Sequence, residues 1–154
     1  MRAVVQRVAR ARVTVGDRVT GEIGHGLLVF VGVEKEDAAA DVEYIVSKVR
    51  DLRVFDDDGD AEGRTRMNRS VRDVRGDALV VSQFTLAGDV RRGRRPSFDA
   101  AAAPDLARDL YERVVEQLRA AGITVATGEF QAMMRVELVN DGPVTILIDS
   151  RRRF

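Results

Sequence analysis

Short apolar runs separated by glycine-bearing or charged turns dominate the pattern of this chain. Runs rich in β-branched residues are typical of strands, and they occur here at 3–8, 11–15 and 18–23. A continuous apolar run at 27–31 follows the turn Gly24-His25-Gly26 and indicates a strand buried on both faces. The same patterns predict further strands at 53–55, 78–84, 123–126 and 134–148.

Two stretches have the period of an amphipathic helix. In 38–50 the apolar positions fall on one face, and Asp37 is placed to cap the first turn. The second helix is predicted to begin at Pro104, a residue that suits a first helical position, and to end at Gly122. About eight strands with two long helices predict an α/β fold of mixed sheets, a layered or barrel-like sandwich with both helices packed mainly on one side.

By its length of 154 residues the chain is expected to form one domain, 1–154, with a flexible, arginine-rich tail at 150–154. The chain has no cysteine, which excludes disulfides, thiol nucleophiles and cysteine-bound metal. A single histidine, His25, makes a histidine metal site implausible. No apolar run reaches the roughly 20 residues of a membrane span, and 1–7 lacks a signal-peptide core, so we expect a cytoplasmic protein without membrane contact.

Positive and negative side chains are equal in number, 25 of each, which argues against a general nucleic-acid coat protein. A local basic patch remains, because four arginines lie within 91–95. The acidic loop 56–63 suggests a calcium loop, but its sixth position is Ala61 instead of glycine and its twelfth is Met67 instead of glutamate. We therefore interpret this loop as a solvated turn.

The polar segment Ser82-Gln83-Phe84-Thr85 closes one of the buried strands. Such residues often satisfy backbone groups at a strand end, and this alternative stands beside a functional role. Thr85 is a candidate nucleophile, but a threonine without a neighbouring base is poorly activated. The only histidine lies in a glycine turn, where a surface position is expected. Main-chain N–H groups at Phe84 and Thr85 are the alternative source of catalysis, as donors to an oxyanion.

A second motif, Asn140-Asp141-Gly142-Pro143-Val144-Thr145, separates two apolar runs. Proline cannot donate to a strand ladder, and glycine before it permits unusual backbone angles. A turn of this kind presents two carbonyl oxygens on one side as a rigid acceptor pair. An ordinary hairpin turn without a ligand is the alternative. Both peptide isomers are accessible before proline, so the sequence does not decide between them.

Together the two motifs resemble those of the D-aminoacyl-tRNA deacylase family, and the resemblance covers nearly the whole chain. Segments 1–8, 21–24, 32–35 and 92–98 also resemble their family counterparts. The resemblance implies that Ser82, Gln83, Phe84 and Thr85 line the pocket for the terminal adenosine and the aminoacyl ester. It also implies that Gly142 and Pro143 cross a homodimer interface into the partner's pocket and exclude L-amino acids.

The same resemblance implies supporting roles for several residues and the need for no cofactor or metal. Arg7 would hold the turn with its planar guanidinium, Asn140 and Thr145 would brace it, and Phe98 and Met134 would lie near the adenosine. Contacts with RNA are expected at Arg92 and Arg95. The expected reaction is hydrolysis of D-aminoacyl-tRNA, and of mischarged glycyl-tRNA, with help from the substrate's ribose hydroxyl. Two alternatives remain, a non-enzymatic nucleic-acid-binding dimer and an esterase with Thr85 as nucleophile.

Overall fold

A computed structural model describes residues 1–60 and 62–154. In these residues the chain forms eight strands, two α-helices and one 3₁₀ turn. In chain order the elements are β1 (Arg2–Val15), β2 (Arg18–Ile23), β3 (Gly26–Gly32), α1 (Ala39–Asp51), β4 (Phe55–Asp56), β5 (Met67–Arg69), β6 (Asp77–Ser82), the 3₁₀ turn (Phe84–Ala87), α2 (Pro104–Ala120), β7 (Val125–Thr127) and β8 (Arg135–Asp149).

The main sheet is mixed, with the strand order β2-β1-β3-β6-β7, and β8 also pairs with β1. The pairs of β1 with β2, β3 and β8 are antiparallel, whereas β3–β6 and β6–β7 are parallel. The sheet nearly closes on itself, because a Cβ added to Gly21 of β2 would lie 2.3 Å from the carbonyl oxygen of Thr127 in β7. The predicted mixed, barrel-like fold is confirmed.

Alternation along the strands divides the core into two apolar clusters. In β3, Leu27 and Val29 pack toward the two helices, while Leu28 packs inside the barrel. In β6, Val80 belongs to the helix-facing cluster and Leu79 to the barrel interior. Both faces of these central strands are therefore buried, as the continuous apolar runs predicted. Both helices contribute to one cluster, which places them on the same side of the barrel.

The structure corrects two local predictions. The runs 3–8 and 11–15 form one continuous strand, β1, whose irregular register around Val8 is set by its partner β8. Asp37 does not cap α1. The N-cap is Ala38, whereas the buried Asp37 carboxylate accepts hydrogen bonds from the Met1 ammonium at 2.6 Å and from the N–H of Glu34 at 2.6 Å. An ion pair with a distant ammonium group thus replaces the local capping bond.

The second helix follows its prediction. Pro104 is the first residue of α2, and Gly122, with φ of +85°, lies just beyond its end. No helix in residues 1–60 and 62–154 is long and apolar enough to cross a membrane.

Two aspartates of the acidic loop accept hydrogen bonds from backbone N–H groups in and next to the loop. Asp57 accepts from the N–H groups of Gly59 and Arg66, and Asp60 accepts from those of Glu62 and Arg64. These bonds make the pKa of both carboxyls lower than usual. The interpretation of 56–63 as a solvated turn includes Ala61, which lies outside the described residues.

Candidate active site

The polar segment predicted from the sequence lies where β6 ends. Ser82 pairs with Val31 of β3, and the N–H of Gln83 donates to the Val31 carbonyl at 2.8 Å. The chain then enters the 3₁₀ turn, which packs over Gly32. A Cβ at Gly32 would lie 2.8 Å from Leu86 Cβ and 2.9 Å from the Gln83 carbonyl oxygen. Glycine is required there because the turn approaches the bare backbone of β3.

The start of this turn provides main-chain donors. As in any helix, the first N–H groups, here those of Phe84 and Thr85, have no acceptor within the turn. The Gln83 side chain does not cap them. Instead its amide donates to the Thr85 hydroxyl. An amide is not a base, so this contact does not activate Thr85 as a nucleophile.

A cleft of about 700 Å³ opens beside the turn. It is lined by Val33, Val81, Ser82, Gln83, Phe84, Ala102, Pro104, Ala107, Phe130, Gln131, Ala132, Met133, Met134 and Val136. Among the described residues, none that lines this cleft has an ionisable side chain. Its polar groups are hydroxyls, amides and the peptide backbone. Chemistry in this cleft therefore depends on neutral donors and acceptors.

Aromatic and sulfur side chains form the apolar part of the cleft and its rim. Phe84 is 56% exposed, and its ring meets the Phe98 ring edge-on with 5.1 Å between centroids. Met134 packs against the barrel interior and over Gly128, where a Cβ would lie 2.7 Å from the Met134 sulfur. Such a surface can pack against the edge or the face of another flat ring, since aromatic pairs prefer edge-on and offset contacts.

Sequence reasoning missed most of the segment between β7 and β8. Phe130, Gln131 and Met133 line the cleft, Gln131 has φ of +63°, and Met133 is 91% exposed. The available signal was a run of long side chains in a loop between two strands. The Phe130 ring lies 6.1 Å from that of Tyr111, whose hydroxyl donates to the Val80 carbonyl at 2.9 Å. Burial raises the pKa of Tyr111, so it stays a neutral donor.

The arginine-rich segment forms a loop at the rim. Asp89 and Ser97 pair through two backbone hydrogen bonds of 2.8 and 2.9 Å, which closes the loop. The Arg91 guanidinium and its backbone N–H hold the Asp89 carboxylate and lower its pKa to about 2. Arg92 and Arg95 are exposed and form no ion pair with the described residues. Both guanidiniums are therefore open to an anionic ligand.

The second motif bulges out of β8. Gln6 pairs with Thr145 and Val8 with Asn140, so the four residues 141–144 stand opposite Arg7 alone. The Gly142–Pro143 peptide is cis.

Arg7 and Asn140 hold this turn. The buried Arg7 donates from Nε to the Asp141 carbonyl at 2.9 Å and from Nη1 to the Val54 carbonyl at 2.6 Å. The Asn140 side chain accepts from the N–H of Val144 at 3.0 Å and donates to the Thr145 hydroxyl at 2.9 Å. Gly142 and Pro143 themselves are exposed.

The two motifs do not meet within the chain. Ser82 of β6 pairs with Val31 of β3, and Val31 in turn pairs with Ala3 of β1. The turn lies opposite Arg7, four residues further along β1. Four residues along a strand span about 13 Å, and β6 is two strands away from β1, about 10 Å to the side. Phe98 and Met134 lie with the Ser82 group, while Asn140 and Thr145 lie with the turn.

Comparison with known proteins identifies the family. The family model described as D-Tyr-tRNA(Tyr) deacylase matches residues 4–149. A D-aminoacyl-tRNA deacylase of Symbiobacterium thermophilum is 60% identical, with 100% of this chain and 99% of that protein aligned. One from Koribacter versatilis is 58% identical, with both chains fully aligned. The chain therefore belongs to the D-Tyr-tRNA(Tyr) deacylase family, which confirms the resemblance found in its motifs.

Two solved structures have the same fold. One, named "c-Myc DNA Unwinding Element Binding Protein", has a TM-score of 0.86 and 41% identity, and covers 97% of this chain and 98% of its own. A probable eukaryotic D-amino acid tRNA deacylase has a TM-score of 0.80 and covers 96% of this chain and 97% of its own. At 20% identity the second likeness supports the fold alone.

Proposed function

We propose that this chain hydrolyses the ester of D-aminoacyl-tRNA to a free D-amino acid and tRNA. The observation that carries the proposal is the cleft with a neutral lining that includes Ser82, Gln83 and Phe84, beside a 3₁₀ turn whose first N–H groups belong to Phe84 and Thr85. Its place in a family of deacylases, together with a D-aminoacyl-tRNA deacylase that is 60% identical, supports the same substrate class. Glycyl-tRNA is a substrate too, because glycine has no side chain to be rejected.

The chemistry follows from the groups present. Water attacks the ester carbon, and the N–H groups of Phe84 and Thr85 donate to the oxygen that becomes negative. The new carbon–oxygen bond forms first and gives a tetrahedral intermediate, whose collapse breaks the bond to the tRNA ribose as the ribose oxygen leaves with a proton. Because the described cleft lining has no ionisable side chain, the neighbouring ribose hydroxyl of the substrate relays the proton from the water.

Selection of D-amino acids is assigned to the Gly142–Pro143 turn of a second protomer. The separation of the two motifs within one chain supports this assignment, since a turn that acts in the cleft must come from another copy. The carbonyl oxygens of the turn accept hydrogen bonds from the substrate's α-amino group, and the backbone occupies the space of an L side chain. The D side chain points outward and varies freely. Rejection by steric overlap is an established route to specificity.

Exposed apolar residues also support a homodimer. Leu147 of β8 is 60% exposed and Val139 is 39% exposed, and both lie on the strand that carries the turn. Val139 lies opposite Arg10 of β1 and Leu147 opposite Val4, so the exposed apolar side chains flank the turn on both sides. Pairing through this strand would bring the turn out of one protomer toward the other.

The proposed activity is tested with D- and L-tyrosyl-tRNA as matched substrates for purified, chelator-treated protein. We expect hydrolysis of the D ester at least about a hundredfold faster, which corresponds to about 3 kcal/mol of discrimination between the transition states. Release of labelled amino acid over time gives both rates. Equal rates on the two substrates, or none on either, would refute the proposal.

Replacement of Thr85 by alanine tests which group performs the reaction. If main-chain N–H groups stabilise the oxyanion, Thr85→Ala retains kcat within about threefold, because the backbone donors remain. Loss of turnover with intact substrate binding would support Thr85 as nucleophile. Thr85→Ser serves as the control, since it keeps a hydroxyl at this position.

Nucleic-acid binding without catalysis is the second candidate function. The solved structure at 41% identity bears the name of a protein that binds a DNA unwinding element, and the exposed Arg92 and Arg95 of this chain offer phosphate contacts. Binding through these arginines would weaken with salt, as phosphate contacts do. Tight, salt-dependent binding of tRNA together with no turnover of D-tyrosyl-tRNA would favour this candidate.

A further inference from the structure

Four charged side chains form a closed ring beside the 3₁₀ turn. Arg2 Nη2 lies 3.3 Å from Glu34 Oε1, and Arg2 Nε lies 3.4 Å from Asp149 Oδ2. Arg153 pairs with the same two carboxylates, and its Nε lies 2.8 Å from Asp149 Oδ2. Positive and negative groups therefore alternate around the ring, and its charge is balanced.

Both carboxylates of this ring are buried. The side chain of Glu34 is 5% exposed and that of Asp149 is 0% exposed. Burial would raise the pKa of Asp149, but the N–H of Arg151 and the Arg153 guanidinium outweigh it and keep the pKa below its usual value. A buried carboxylate requires a paired cation, so the two carboxylates attract the Arg2 guanidinium by charge, although neither Arg2 Nε nor Glu34 Oε1 has a hydrogen-bond partner among the described residues.

Arg2 has a third contact, outside the ring. Its Nη1 donates to the carbonyl oxygen of Leu86, in the 3₁₀ turn, at 2.7 Å. Arg2 also pairs with Gly32 in the β1–β3 ladder, and Gly32 is the residue over which the turn packs. The turn thus packs on the backbone of Gly32 and accepts a hydrogen bond from Arg2.

We infer that Arg2 is a positioning residue for the proposed reaction: paired with Glu34 and Asp149, it fixes the 3₁₀ turn at whose start the Phe84 and Thr85 donors lie. Arg2 touches the turn and not the cleft, so it acts through Leu86. The inference rests on the proposed function for its kinetic consequence only. The hydrogen bond from Arg2 to Leu86 is a property of the protein without substrate.

Two substitutions of Arg2 separate positioning from charge balance. Arg2→Gln removes the cation from between two buried carboxylates, and we expect both a lower thermal midpoint and about a tenfold lower kcat. Arg2→Lys restores a positive charge, so it recovers most of the thermal midpoint. An ammonium drawn to the carboxylates does not reproduce the fork that also reaches Leu86, so kcat stays low. Arg113→Gln, which breaks an exposed ion pair with Asp109 on α2, is the matched control with unchanged kcat.

Amide hydrogen exchange on the free protein gives the second readout. In Arg2→Lys, exchange at 83–88 becomes faster, while exchange at 78–81 of β6 keeps its wild-type rate. Full recovery of kcat in Arg2→Lys, or unchanged exchange at 83–88, would overturn the inference. Failure of the proposed function is distinguishable, because wild-type protein would then not hydrolyse D-tyrosyl-tRNA although Arg2→Lys still altered exchange at the turn.

Discussion

Gly142→Ala is expected to lower kcat/KM for D-aminoacyl-tRNA by about a hundredfold, which corresponds to about 3 kcal/mol of transition-state stabilisation. Gly142 has φ of +130°, a conformation that side chains with a Cβ rarely adopt. The added Cβ would lie 2.8 Å from Val144 Cγ2 and 3.0 Å from Arg7 Nη2. The turn must therefore shift, and the carbonyl oxygens proposed to bind the α-amino group shift with it.

The fold is expected to survive this change because Gly142 and Pro143 are exposed. Gly122→Ala is the control, since Gly122 also has a positive φ, +85°, but a Cβ there meets nothing within 4 Å. This control should lose some stability and keep the wild-type preference for the D substrate. Initial rates on D- and L-tyrosyl-tRNA, with sedimentation to check the oligomeric state, decide the question. Wild-type rates in Gly142→Ala would contradict the role given to the turn.

Periodicity was enough to predict most of the fold. The continuous apolar runs of β3 and β6 indicated strands buried on both faces, and the structure packs them between the helices and the barrel interior. The prediction of two strands at 3–8 and 11–15 was wrong because β8 pairs along nearly the whole of β1 through Val8, and no local pattern contains that pairing. Asp37 likewise follows a long-range ion pair instead of its local capping preference.

The candidate site was predictable where its features depend on residues adjacent in the sequence. Polar residues at the end of a buried strand and a Gly-Pro pair between apolar runs stand out in sequence, which is how Ser82 and Gly142 were found. Phe130 and Met133 were missed because their place in the cleft depends on how a loop packs against the barrel. The distance between the two motifs also required the register of β1, β3, β6 and β8.

The C-terminal arginines also form contacts that cannot be predicted from neighbouring residues in the sequence. The sequence predicts a flexible tail at 150–154, and its flexibility stays a prediction. The structure nevertheless gives Arg153 two carboxylate partners, and Glu34 lies 119 positions away along the chain. A pairing over that separation is invisible to any window of local sequence.

Arg7→Met is expected to loosen the turn and to lower the free energy of unfolding by about 2–3 kcal/mol, since one buried and one partly buried carbonyl group lose a charged donor. Those groups are the carbonyls of Val54 and Asp141, which the wild-type guanidinium joins. For a chain of this size the thermal midpoint should fall by roughly 5–10 °C. Arg113→Met, which breaks only an exposed ion pair on α2, should leave the midpoint nearly unchanged.

The kinetic effect of Arg7→Met should differ from that of a general loss of stability. Measured well below the new thermal midpoint, kcat/KM for D-tyrosyl-tRNA falls by about tenfold, because a mobile turn binds the α-amino group less well. The ratio of D to L hydrolysis also falls, because a mobile turn leaves room for the L side chain. Arg7→Lys keeps the charge but cannot join two carbonyls with one planar fork, so it should resemble Arg7→Met in selectivity. A destabilised Arg7→Met that retained the wild-type ratio would separate Arg7 from chiral selection and leave it a purely structural residue.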